Sequence, residues 1–120
     1  MEKNILIMED EGLIALELKT KLKSWGYDNV FISSTGSEAL EIAKKHPPHL
    51  VVADIHLKGK INGIETIKKL KSWSKFPIII ISAYMDPKVV DSALEINPNC
   101  YLLKPLNNEE LRINIQLALK

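Results

Sequence analysis

Leu50-Val51-Val52-Ala53-Asp54 is a run of four apolar residues that stops at a carboxylate. A strand with one wet face alternates apolar and polar side chains, whereas an unbroken apolar run fits a strand covered on both faces. Residues 5–8, which stop at Glu9, and residues 78–81, bounded by Pro77 and Ser82, have the same character. Residues 30–33 and 100–103 are mixed, as strands at the two edges of a sheet would be.

Between these runs the pattern turns helical. Over 12–25, Ile14, Leu18, Leu22 and Trp25 fall within one arc. Thr35 with Glu38 has the spacing of a capping box, and Asn62 with Glu65 repeats it ahead of Ile64, Ile67 and Leu70. Asp86-Pro87 reads as a cap with proline at the first helical position. Asn107 or Asn108 caps a last helix running towards Lys120. Five β/α units in succession predict an α/β fold: a doubly wound, five-stranded parallel sheet with helices on both faces. Covered first, third and fourth strands with mixed second and fifth match the flavodoxin-like order 2-1-3-4-5. In that order the crevice lies at the carboxyl ends of strands 1 and 3. There is no linker, repeat or low-complexity stretch, so residues 1–120 are expected to form one domain.

Composition narrows the function. Hydrophobic residues make up 46% and charged residues 26% of the 120, the balance of a globular chain. Sixteen basic residues against fifteen acidic leave a net charge of +1, and hence no long-range field for nucleic acid or an anionic membrane. The longest apolar runs fall far short of the roughly 20 residues of a membrane-spanning helix, and the opening residues do not read as a signal peptide. Cys100 is the only cysteine, so no internal disulfide forms; a reducing, cytoplasmic setting is expected.

The chemistry collects at the strand ends. Glu9, Asp10 and Glu11 follow strand 1, and Asp54 closes strand 3. Neighbouring strands lie roughly 4.8 Å apart, so the predicted order brings Asp54 close to the Glu9-Asp10 pair. Like charges at about 4 Å repel by a few kcal/mol even at an effective dielectric near 20. Protons, a lysine or a metal must relieve that repulsion. Lys104, after strand 5, supplies one positive charge. One lysine does not balance three carboxylates, and a hard divalent cation such as Mg²⁺ is the natural remainder. Ser82, at the end of strand 4, adds a hydroxyl.

With these residues the sequence resembles the receiver domain of two-component response regulators. The resemblance runs from Ile5-Leu6-Ile7-Met8-Glu9-Asp10-Glu11 through Leu50-Val51-Val52-Ala53-Asp54, Gly63 and Ser82-Ala83 to Tyr101-Leu102-Leu103-Lys104-Pro105. It implies that Asp54 accepts a phosphoryl group from a histidine kinase or phosphotransfer protein. Asp10 is then a direct Mg²⁺ ligand, Glu9 orients metal-bound water, and the main-chain carbonyl of His56 is a further ligand. Ser82 and Lys104 contact the phosphoryl oxygens, Lys104-Pro105 is a cis junction, and Tyr101 is the aromatic switch residue that turns inward on activation. The surface of the fourth helix, the fifth strand and the last helix is then re-presented to a partner, or to a second copy as a homodimer. No DNA-binding segment lies within the 120 residues, which leaves a stand-alone protein or the first segment of a longer signalling chain.

The alternative is a haloacid-dehalogenase-type phosphatase, which also pairs an aspartate nucleophile with Mg²⁺. Its nucleophile follows the first strand in an Asp-x-Asp pattern, whereas Asp54-Ile55-His56 follows the third and lacks the second Asp. A flavodoxin is disfavoured because Glu9-Asp10-Glu11 stands where a phosphate-binding loop would need neutral residues. His46, His49 and His56 read as surface residues, Cys100 as a small buried one, and Trp25 and Trp73 as packing residues at helix ends. In the last helix, Leu111, Ile115, Ala118 and Leu119 form a core stripe. Ile113 and Leu117 lie nearly opposite, either as scattered surface apolarity or as part of a contact surface. Leu13 and Leu16 fall outside the core arc of the first helix, which in the family docks the phosphodonor protein.

Overall fold

The computed structural model describes residues 3–55, 63–83 and 87–120. Its elements run β1 (Asn4–Met8), α1 (Gly12–Ser24), β2 (Asn29–Ser33), α2 (Gly36–Lys45), β3 (Leu50–Asp54), α3 (Gly63–Trp73), β4 (Ile78–Ser82), α4 (Pro87–Leu94), β5 (Cys100–Leu103) and α5 (Asn108–Ala118). The strands form one parallel sheet in the order β2-β1-β3-β4-β5. This is the predicted doubly wound arrangement.

Alternation of side chains along the central strands divides the core in two. Ile5, Ile7, Leu50, Val52, Ile79 and Ile81 pack with Leu18 and Leu22 of α1 and Leu111 and Ile115 of α5. Leu6, Met8, Val51, Ala53, Ile78 and Ile80 pack with α2, α3 and Ala93 of α4. Every residue of β3 and β4 is buried, which explains their unbroken apolar sequence. Each large side chain buried this way contributes about 1.5–3 kcal/mol, so the middle of the sheet is a firm platform for whatever stands at its carboxyl edge.

Local chemistry sets the helix starts. The Thr35 hydroxyl accepts from the Glu38 N–H at 3.1 Å, and Glu38 Oε1 accepts from the Ser34 N–H at 3.0 Å. The return arm of the capping box thus lands one residue early. Of the two asparagines before α5 it is Asn107 that caps, its Oδ1 accepting from the Glu110 N–H at 2.9 Å. The expected caps Asn62 and Asp86 lie outside the described residues. Lys104-Pro105 is cis.

Three expectations need correction. His49 is only half exposed: its Nδ1 accepts from the Asn4 N–H at 2.9 Å, and its own N–H donates to the Asn4 carbonyl at 2.7 Å. It therefore ties the start of β1 to the approach to β3. Trp73 is 44% exposed rather than packed away, with Lys44 Nζ 5.6 Å from the ring centroid. Cys100 is half-buried, because an edge strand covers only part of its side chain.

Helix α4 is held unevenly. Ala93, near its end, is its only buried residue, and Ile96 just beyond is buried as well. Lys71 Nζ of α3 donates to the Ile96 carbonyl at 2.7 Å, and Lys68 pairs with Glu95 at 2.8 Å. Asn99 then exchanges two hydrogen bonds with Ile78.

Candidate functional site

Parallel pairing places the ends of β1 and β3 side by side, with Met8 opposite Ala53. The next residues, Glu9 and Asp54, therefore leave the platform as neighbours at its carboxyl edge. Glu9, Asp10 and Asp54 each offer a carboxylate oxygen, and these oxygens lie within 4.8 Å of one another. Glu9 is 1% exposed and Asp54 6% exposed; Asp10 is half-buried.

Lys104 reaches into this cluster from the end of β5. Its main-chain N–H donates to the Ser82 carbonyl at 2.8 Å, which fixes where the side chain departs. Its ammonium donates to Glu9 Oε1 at 2.7 Å and Asp54 Oδ2 at 2.8 Å, and Glu11 Oε1 stands 3.9 Å away. Burial alone would lower the Lys104 pKa, but its hydrogen bonds to Asp54 and Glu9 outweigh this and raise it above the ordinary value. Its charged form is thereby favoured.

One cation does not satisfy the pocket. Glu9 Oε2 is buried with no hydrogen-bond partner among the described residues. Burial, followed by the neighbouring Asp54 carboxylate, pushes the Glu9 pKa up to about 7 despite the opposing pull of Lys104. An orphaned carboxylate oxygen in a nest of hard oxygen donors fits a divalent cation of the Mg²⁺ type.

Of the residues expected from sequence, Glu9, Asp10, Asp54 and Lys104 meet at this point. Ser82 is fully buried at the adjoining end of β4. Tyr101 is half-buried on β5 and packs against the α2–α4 side of the core. His56 lies outside the described residues. Pattern reading did not find the open groove of about 410 Å³ beside Lys104, lined by Ile14, Glu17, Leu18, Lys21, Lys104, Pro105 and Leu106. Nor did it find the close approach of Gly63 to the backbone at Asp54 and Ile55.

Residues 5–116 match the family model for the response regulator receiver domain. The chain belongs to that family. The receiver is 33% identical over 116 residues to the transcriptional regulatory protein PdtaR of Mycobacterium tuberculosis, covering 97% of this chain and 56% of that one. It is 31% identical to the transcriptional regulatory protein ZraR of Escherichia coli, covering 97% of this chain and 26% of that protein. It thus spans about half, or less, of the length of these relatives. Among solved structures, the signal receiver domain of a modulated diguanylate cyclase from Desulfovibrio desulfuricans aligns with a TM-score of 0.91 at 34% identity, covering 99% of this chain and 94% of that one. A CheY-like receiver domain protein from Methanospirillum hungatei aligns with a TM-score of 0.90 at 27% identity, with the same coverage. A receiver domain of this kind works in two-component, phosphorylation-dependent signalling. No helix among the described residues is long and apolar enough to cross a membrane.

Proposed function

We propose that this receiver takes a phosphoryl group onto Asp54 from a histidine kinase or phosphotransfer protein, with Mg²⁺ bound beside it, and changes its protein partner in response. The observation that carries the reading is the ammonium of Lys104 held between Glu9 and Asp54 while one buried Glu9 oxygen stays without a partner. Such a pocket holds an excess of negative charge in readiness for cations.

Asp10 and Asp54 would hold the metal directly, together with the main-chain carbonyl of His56, and Glu9 would act through water. When bound, Mg²⁺ offsets the charge on the carboxylates and on the oxygens of the transferred group. A carboxylate oxygen of Asp54 attacks phosphorus, and the bond from phosphorus to the donor's imidazole nitrogen breaks. The electron pair returns to the imidazole, which takes up a proton. Lys104 turns its charge towards the arriving phosphoryl oxygens, and the Ser82 hydroxyl donates to another. The added charge then favours an arrangement in which Tyr101 turns inward and the α4-β5-α5 surface is re-presented. The chain as a whole carries a net charge of only +1, so we read that surface as a protein-binding one rather than a nucleic-acid one.

Incubation with acetyl phosphate and Mg²⁺, followed by intact-mass measurement, tests the reading. Wild type should gain one phosphoryl group, releasing acetate; Asp54→Asn should gain none, and chelation of the metal should abolish labelling. A gain that survives Asp54→Asn would overturn the assignment.

A further inference from the structure

Gly63 opens α3, nine positions after Asp54 at the end of β3. A Cβ built on it would stand 2.8 Å from Ile55 Cα, 3.0 Å from the Asp54 carbonyl oxygen and 3.0 Å from the Ile55 carbonyl oxygen. All three are backbone atoms, so no side chain can swing aside to make room. The Gly63 N–H also donates to the Ile55 carbonyl at 3.3 Å, joining the start of α3 to the residue just past β3. On helix propensity alone, alanine would be preferred here; the site itself forbids it.

We infer that Gly63 is a positioning residue for the phosphoryl acceptor: its missing side chain lets the start of α3 lock the backbone on which Asp54 stands. Asp54 is paired with Ile81 in β4, whereas Ile55 lies beyond the last paired residue. A methyl group at position 63 therefore pushes the chain just past its last paired residue, one peptide bond beyond the acceptor. The Asp54 carboxylate must line up with an incoming phosphorus, and a displacement of about 1 Å is enough to cost much of the rate. Gly12, which opens α1 on the other side of the pocket, has nothing within 4 Å of an added Cβ. It supplies an internal control. The inference rests on the reading of Asp54 as acceptor.

The test compares wild type with Gly63→Ala, Gly12→Ala and Ile67→Val, the last shortening a fully buried side chain on the same helix. Acetyl phosphate labelling of Gly63→Ala should slow by about tenfold or more at saturating Mg²⁺, and the Asp54 and Ile55 amide resonances should shift in the metal-free protein. Gly12→Ala and Ile67→Val should label within about twofold of wild type, Ile67→Val despite a lower melting temperature. Normal labelling by Gly63→Ala, or an equal loss in Ile67→Val, overturns the inference. A second measurement serves if Gly63→Ala does not fold: in wild type, the Gly63 and Ile55 amide resonances should move with a shared midpoint as Mg²⁺ is added. A Gly63 signal that stays still overturns the inference. Failure of wild type to label at all would overturn the acceptor reading and this inference together; wild-type labelling with an indifferent Gly63→Ala overturns this inference alone.

Discussion

Glu9 and Asp10 are neighbours in the chain with different surroundings. Glu9 is buried, shares Lys104 with Asp54, and has its pKa raised to about 7. Asp10 belongs to the same cluster but is only half-buried. At pH 7 a raised Glu9 already spends much of its time protonated in the metal-free protein, so replacement by Gln removes less charge than replacement at Asp10. Asp10→Asn should therefore weaken Mg²⁺ binding more than Glu9→Gln does, as ranked by titrating intrinsic fluorescence. The sign with pH follows: the Glu9 carboxylate is present above about 7 and lost as pH falls through that value. The gap between wild type and Glu9→Gln should widen from pH 6 to pH 8. Equal affinities for the two variants at every pH would show that the roles are reversed or shared.

Helix α1 presents Leu13 and Leu16 at 73% and 57% exposed, beside the groove that ends at Lys104. An exposed leucine pair next to a reactive pocket suits a docking contact better than a folding one. Changing both to Ser should slow phosphotransfer from a cognate kinase several-fold, with acetyl phosphate labelling intact; loss of both would mean that the leucines are structural. These two were legible in the sequence because helical periodicity separates an inward arc from an outward one. Asp54, Glu9 and Lys104 were legible because an apolar run announces its own end. The clasp of Lys71 and Lys68 on the end of α4 and the tie of His49 to Asn4 were not. They join residues 25 to 45 positions apart, with no local pattern to announce them. Gly63 was visible as a helix opener, yet its approach to Ile55 depends on how two backbones converge in space.

Leu94, Leu103, Ile113 and Leu117 are all more than a third exposed, on α4, β5 and α5. Burying two such side chains yields a few kcal/mol at about 25 cal/mol per Å², and association costs of comparable size come first. The unphosphorylated receiver should thus be monomeric at micromolar concentration. A phosphoryl mimic such as beryllofluoride should drive self-association, and Ile113→Ser/Leu117→Ser should lose it. Sedimentation decides, and monomers throughout would reserve the surface for another protein. The sheet order has one more consequence. Glu9, Asp10 and Asp54 all precede residue 55, while Lys104 follows the edge strand β5, which pairs only with β4. On the ribosome the chain emerges with the carboxylates of the pocket well before Lys104. A nascent receiver stalled before β5 carries the acidic residues of the pocket without the charge that quiets them. The last strand of the sheet and the lysine of the pocket therefore arrive together in synthesis.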